Sequence, residues 1–188
     1  MVSLASLALG LLTFYAQGFL PDALSSFANS ASGWTLLTAA LVLAARAGAK
    51  LAAALGAVSF VLLVLGYTLA ASLNGLYYSP VLFGVVGVVV GPFVGVAAAW
   101  LRTEGVPAAL GTALLGGILI GEAVYGLTVV ADTTRPEYWV GIGAVGIALL
   151  VAMLVRRLRC WRPVTIAVAG VPAVAAAFNL AYIALGSA

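Results

Sequence analysis

The segment LLGGILIGEAVYGLTVV, residues 114–130, decides the kind of fold that this chain can adopt. It completes an apolar run that begins near residue 107, which is long enough to cross a membrane as one helix. A single carboxylic acid, Glu122, lies inside the run, and Tyr125 follows three residues later. The rest of the chain shows whether other apolar segments of this length are present and which roles an acid inside such a segment can have.

The composition of the chain is that of an integral membrane protein. Of its 188 residues, 65% are hydrophobic and only 7% are charged, which is too few to cover a soluble domain of this length. Basic residues outnumber acidic ones by 8 to 5, but they lie between apolar segments. Membrane topology therefore explains the basic residues better than a nucleic-acid partner does, and we expect no such partner.

The lack of histidine and the single cysteine narrow the chemistry further. Without histidine, Ser-His and Cys-His catalysis and histidine-bound metal sites are excluded. Cys160 by itself forms neither an internal disulfide nor a cysteine metal site. No metal- or diphosphate-binding motif of the DDxxD kind is present either, so we expect no metal site; we also expect no cofactor, as the family resemblance described below implies.

Seven segments are long and apolar enough to span a membrane, so the sequence predicts an all-α polytopic membrane protein. The predicted spans are 2–20, 33–49, 51–73, 80–101, 107–130, 138–155 and 163–186. The first segment lacks the basic region of a signal peptide, so we interpret it as a retained span. We expect residues 1–188 to form one transmembrane domain.

The basic residues set the predicted orientation. Seven of the eight fall in alternate connections, which the positive-inside rule assigns to the cytoplasm, and only Arg135 lies on the other side. We therefore predict a multi-pass protein of the plasma membrane with a cytoplasmic N-terminus. The most basic segment, RRLRCWR at residues 156–162, fits this topology, and binding of anionic membrane lipid is the alternative explanation.

Glycines recur at four-residue spacing in two of the spans. Gly87, Gly91 and Gly95 share one face of the fourth span, and Gly117 and Gly121 share one face of the fifth. Such faces let a second helix approach closely. They predict helix packing within the chain, with a homodimer through these helices as the alternative.

Polar and aromatic residues collect in the half of the membrane that we predict to be external. The residues expected to lie deepest come from four spans, and we predict that they converge on one cavity: Gln17, Tyr67, Glu122, Tyr125 and Asn179. Further candidates for contact with a substrate are Tyr15, Asn29, Trp34, Asn74, Trp139 and Tyr182. An interfacial aromatic belt is the simpler explanation for Tyr77, Tyr78, Tyr138 and Trp139.

A carboxylate at the depth of Glu122 is costly to ionise, so we expect this residue to be protonated. A structural role, as a neutral acid bonded to a backbone carbonyl or to Asn179, is one explanation. A general acid that protonates an isoprenoid alkene or epoxide is another, with the rings of Tyr15, Trp34, Tyr67 and Tyr125 around the resulting cation. A second group must then stabilise the carboxylate as it forms, and the candidates are Tyr125, Asn179, Asp22 and Asp132.

A transporter or a substrate-binding membrane subunit is the alternative function. In such a protein Glu122 binds a cationic or polar solute, or carries a proton, in a site that faces outward. The inner halves of the spans are almost purely Ala, Val, Leu and Gly, which favours a closed lipophilic site over a hydrated path.

Over its whole length the chain resembles the small seven-span terpene cyclases of actinobacteria that act on farnesylated indole and diketopiperazine compounds, the drimentine type. The stretches GEAVYGLTVVADTTRPEYW (121–139) and FANSASGWTLL (27–37) carry this likeness, together with size, span number and Ala/Val/Gly content. The resemblance implies metal-independent, protonation-initiated cyclisation of a prenyl chain, with Glu122, Asp22 or Asp132 as the acid. The chain is also similar to the vitamin-binding subunits of energy-coupled importers, although these usually have six spans.

Overall fold

The computed structural model describes residues 1–186, and this part of the chain is helical with short connections. The helices are α1 (Val2–Phe19), a 3-10 helix (Asp22–Asn29), α2 (Ala31–Ala45), α3 (Ala49–Leu73), α4 (Val81–Trp100), α5 (Gly105–Thr128), α6 (Pro136–Arg156) and α7 (Trp161–Gly186). All of them except the 3-10 helix and α2 are long and apolar enough to span a membrane individually. The prediction of an all-α, multi-pass membrane protein is confirmed.

The second span differs from its predicted form. We expected a helix over residues 33–49 after an irregular loop, but α2 is shorter and follows the 3-10 helix at a bend of 67°. Ser30 adopts an extended conformation at the bend, and its side chain accepts a hydrogen bond from the Gly33 N–H at 2.9 Å. The Trp34 indole N–H donates to the Ala28 carbonyl at 3.2 Å, so the two helices are linked across the bend.

The helices group into two compact units, the first of residues 1–99 and the second from residue 100 onward. In the first unit, α1 and α3 run parallel at close range, since Ser6 pairs with Ser59 near the start of α1 and Tyr15 pairs with Asn74 near its end. A Cβ atom added at Gly10 would meet the backbone of Leu63, and one added at Gly66 would meet the backbone of Leu7. If α1 and α3 both span the membrane, their parallel orientation requires the chain between them to cross back. The 3-10 helix and α2 together are apolar enough for that crossing, so the described chain has six candidate spans, or seven with this bent pair counted as one.

Glycine also brings α4 against α3, in antiparallel orientation. Gly56 faces the backbone of Gly91 and Gly95, while Gly95 in turn faces the carbonyl of Ala52. One turn earlier in α4, a Cβ atom at Gly87 would lie 3.0 Å from the Phe60 ring. The predicted packing role of the glycines in the fourth span is confirmed within the chain.

The second unit is organised around α5, which is the most buried of its helices. Gly117 and Gly121 face α7, where added Cβ atoms would meet Val171 and Ala175, and α5 and α7 run parallel. On the α6 side, Gly126 lies under the Trp139 ring and the helices are antiparallel. These glycine faces pack inside the unit, and the homodimer stays a prediction.

Candidate functional site

The acids of the chain differ sharply in burial. Glu122, near the C-terminal end of α5, is only 3% exposed. The other four are exposed: Asp22, Glu104, Asp132 and Glu137. A general acid that must hold its proton in dry surroundings needs burial, so Glu122 meets this requirement and the two alternative aspartates do not.

An aromatic group lies one helical turn from Glu122, between α5 and α7. Tyr125 follows Glu122 at a spacing of three, which places both on the same side of α5. The Tyr125 ring meets Tyr182 edge-on, with 5.3 Å between centroids, and Tyr182 stacks on Phe178 at 4.5 Å. The π faces of such rings attract a nearby cation, because the face of an aromatic ring is the negative side of its quadrupole.

Asn179 of α7 links the two helices at the same level. Its amide nitrogen donates to the carbonyl of Gly121 and to that of Ala175, each at 2.9 Å. Both amide protons are therefore used by the backbone, and only the side-chain carbonyl is left to accept a hydrogen bond. Asn179 therefore has no N–H left for a Glu122 carboxylate, and of the donors predicted from the sequence Tyr125 lies one turn along α5 from Glu122.

Trp139 and Tyr138 are buried, although an interfacial aromatic belt is the simpler explanation of both from the sequence. The contact of Trp139 with a substrate stays a prediction. The Trp139 ring packs on Gly126, where any larger residue would collide with it, and the indole N–H donates to the Thr134 hydroxyl at 2.8 Å. The absence of a side chain at Gly126 makes room for the ring inside the unit. Trp139 thus fixes the start of α6 against α5, beyond the aromatic group around Tyr125.

The first unit contains a second cluster, centred on Tyr67 of α3. The Tyr67 ring packs against Phe14, Trp34 and Tyr78, with centroid distances of 5.5, 5.9 and 4.8 Å. Its hydroxyl accepts a hydrogen bond of 2.8 Å from the Gln17 amide. Tyr67 and Trp34 are buried, so this cluster forms the core of the first unit at one end of α1 and α3.

A second polar pair lies at the end of the same two helices. The Asn74 amide donates to the Tyr15 hydroxyl at 3.0 Å and to the Ala70 carbonyl at 2.8 Å. Burial, and to a smaller extent the neighbouring Tyr67, raises the pKa of Tyr78 from 10.0 to about 12, so its hydroxyl keeps its proton further into the alkaline range than an ordinary tyrosine does. Asn29, at the end of the 3-10 helix, is exposed.

The predicted site residues thus meet within each unit. Gln17 joins Tyr67 in the first unit, while Tyr125 and Asn179 lie within a turn of Glu122 in the second. The convergence of all five on one cavity stays a prediction.

The sequence did not predict the packing of two phenylalanines, Phe14 and Phe178, or a hydrogen bond between two buried serines. Phe14 and Phe178 take part in the two aromatic groups, yet in so apolar a chain they carry no distinguishing signal. The Ser6 hydroxyl donates to the Ser59 hydroxyl at 2.8 Å between α1 and α3, in the half of the spans that we expected to be almost purely apolar. Only the register of the two helices reveals that these serines are partners.

Comparison with known proteins gives a family. Residues 1–187 match the model of a family of unknown function, DUF6518, and the chain belongs to this family. The comparisons with curated proteins and with solved structures found no match.

Proposed function

We propose that this member of the DUF6518 family is a terpene cyclase embedded in the plasma membrane, with Glu122 as its general acid. The observation that carries the proposal is the burial of Glu122, the one acid among five that is shielded from water. The aromatic group of Tyr125, Phe178 and Tyr182 supports it, because a carbocation needs such surroundings. The resemblance to drimentine-type cyclases points to a farnesyl chain on an indole or diketopiperazine as substrate.

The reaction begins when the Glu122 carboxyl group donates its proton to a terminal alkene carbon of the prenyl chain. A new C–H bond forms, the alkene electron pair is consumed, and a tertiary carbocation is left on the neighbouring carbon. The next double bond attacks this cation and closes a ring. Loss of a proton from the final cation, back to a base such as the Glu122 carboxylate, completes an isomerisation that needs no metal ion or cofactor. Tyr125 is the donor that stabilises the carboxylate in between.

The test is conversion of farnesyl-bearing indole and diketopiperazine substrates by membranes that contain the protein, run in D₂O. We expect a cyclised product of unchanged composition except for deuterium from solvent at the former terminal alkene carbon. Glu122→Gln removes the proton but keeps the shape of the side chain. We expect it to lower turnover by about 10²- to 10⁴-fold, the usual contribution of a general acid.

Asp132→Asn is the matched control, because it makes the same chemical change at an exposed acid. We expect this variant to turn over within about twofold of the wild type, since surface changes rarely affect a buried site. If both variants lost the same turnover, or if Glu122→Gln kept full activity, Glu122 would not be the general acid. If the folded wild-type protein converted none of a panel of prenyl substrates, the proposal that it is a terpene cyclase would be wrong.

A small-solute binding protein or transporter is the second candidate, and the first unit favours it. Two polar pairs, Gln17 with Tyr67 and Asn74 with Tyr15, lie at the same end of α1 and α3. Side-chain pairs of this kind are able to exchange their partner for a polar ligand. Uptake of a solute by proteoliposomes that is lost in Gln17→Leu, with no prenyl conversion by the wild type, would favour this function.

A further inference from the structure

The connection between α6 and α7 is short and held firmly in place. The N–H groups of Arg157 and Leu158 both donate to the Met153 carbonyl at 2.9 Å, which closes the C-terminal end of α6. The Leu158 side chain is buried against Ala108 of α5 and Ala167 of α7. With Leu158 anchored in this way, the residues on either side of it have little freedom to move apart.

Four arginines surround this anchored leucine, and all of them are exposed: Arg156, Arg157, Arg159 and Arg162. We call residues 156–162 the arginine turn. Arg157 lies 3.9 Å from Glu104, but the two side chains are 42% and 68% exposed, so the pair contributes little. Within residues 1–186, Arg156 and Arg159 have no ion-pair partner. The arginine turn therefore contains two arginines, Arg156 and Arg159, that no carboxylate within residues 1–186 pairs with.

The surroundings of the arginine turn indicate what neutralises it. Trp161 is 73% exposed, and the Arg162 guanidinium lies 5.5 Å from the centre of its ring. An exposed tryptophan at the end of a membrane span is typical of the level of the lipid headgroups. Guanidinium groups bind phosphate oxygens through paired N–H donors, and anionic lipid supplies phosphate at this level.

We propose that the arginine turn binds the phosphate group of an anionic phospholipid. Positive-inside topology requires basic residues on this side of the membrane, but it does not require four of them around one fixed turn. Arg156 and Arg159, which lack partners within the described chain, hold the phosphate, while Trp161 lies among the glycerol and upper acyl groups. This binding is independent of the reaction proposed for Glu122.

The test is native mass spectrometry of the purified full-length protein, titrated with phosphatidylglycerol or with phosphatidylcholine of the same acyl chains. We expect the wild type to bind phosphatidylglycerol more tightly, and the preference to weaken as salt is added. In the variant Arg156→Gln/Arg159→Gln, the dissociation constant for phosphatidylglycerol should rise roughly 30-fold, since each basic residue near an anionic lipid contributes about a factor of five.

The control Arg46→Gln/Lys50→Gln removes the same amount of charge from the α2–α3 connection, where both residues are also exposed. We expect it to bind phosphatidylglycerol as the wild type does. Equal weakening in both double variants would mean a general effect of charge and would overturn the site. Displacement of the lipid by inorganic phosphate at matched ionic strength would assign the arginine turn to free phosphate, and the lipid proposal would be abandoned.

Discussion

The two units use their polar side chains differently to join helices. In the first unit, Ser6 bonds to Ser59 and Gln17 to Tyr67, so side chain meets side chain between α1 and α3. In the second unit, Asn179 bonds to the backbone, at the Gly121 carbonyl of α5 and the carbonyl of its own helix.

This difference separates polar groups that are able to bind a ligand from those that hold the structure together. A side-chain pair opens by a change of rotamer, and each partner then has a free donor or acceptor. The Asn179 amide cannot leave the two carbonyls without loosening α7 from α5. In the second unit, the proposed catalysis therefore depends on Glu122 and Tyr125, while the first unit keeps exchangeable pairs around Tyr67.

The side-chain pairs between α1 and α3 are free to exchange partners only if close backbone contact, and not the pairs, holds the two helices together. Gly10→Ala tests this point, because the added Cβ atom would overlap the Leu63 carbonyl and push the helices apart. We expect a loss of about 3 kcal/mol in the free energy of unfolding, measured by titration of the purified protein with sodium dodecyl sulfate. Gly18→Ala lies on the same helix with no atom within 4 Å of the new Cβ, and should be neutral or slightly stabilising. Equal effects of the two variants would contradict the close contact.

The polar hydrogen bonds between helices should contribute less to the free energy of unfolding than the Gly10 contact does, and the two units should differ in how much. Asn179→Ala removes two hydrogen bonds to backbone carbonyls, so we expect a loss of about 1–2 kcal/mol in the same unfolding assay. A double-mutant cycle with Ser6→Ala and Ser59→Ala should give a coupling energy of about 0.6 kcal/mol, as is usual for hydrogen bonds between membrane helices. If the Ser6–Ser59 coupling energy were as large as the effect of Asn179→Ala, side-chain pairs would hold helices together as firmly as the backbone bonds of Asn179 do.

The smallest effect concerns Tyr78, in the connection between α3 and α4. Its pKa is raised to about 12 from 10.0, so the unfolded chain loses this proton at lower pH than the folded protein does. Stability should therefore fall as pH rises from about 10 to about 12. Ionisation of tyrosine is followed by absorbance at 295 nm, and the difference between the wild type and Tyr78→Phe isolates Tyr78. We expect the midpoint of this difference near pH 12. The variant Tyr67→Phe should lower the midpoint, because Tyr67 contributes to the raised pKa. A midpoint at the ordinary value for tyrosine would show that the ring is hydrated.

Much of the fold could be predicted from the sequence, because span formation depends on local composition. Six of the seven predicted spans match observed helices to within two residues at each end. The second span was misplaced because the polar stretch of residues 22–34 has no apolar period, and the sequence does not show the Trp34–Ala28 hydrogen bond across the bend. The candidate acid was identifiable, since a carboxyl group in an apolar run is rare.

The sequence by itself determined that this protein lies in the membrane, where its helices run and which residues are too polar for their surroundings. Those properties are sums over neighbouring residues, and no knowledge of distant contacts is needed. Only the tertiary structure decided that Asn179 binds two carbonyls, that Trp139 is buried on Gly126, and that Ser6 meets Ser59. Such pairings depend on the rotation and register of each helix. A chain of Ala, Val, Leu and Gly leaves many rotations nearly equal in energy until close packing selects one.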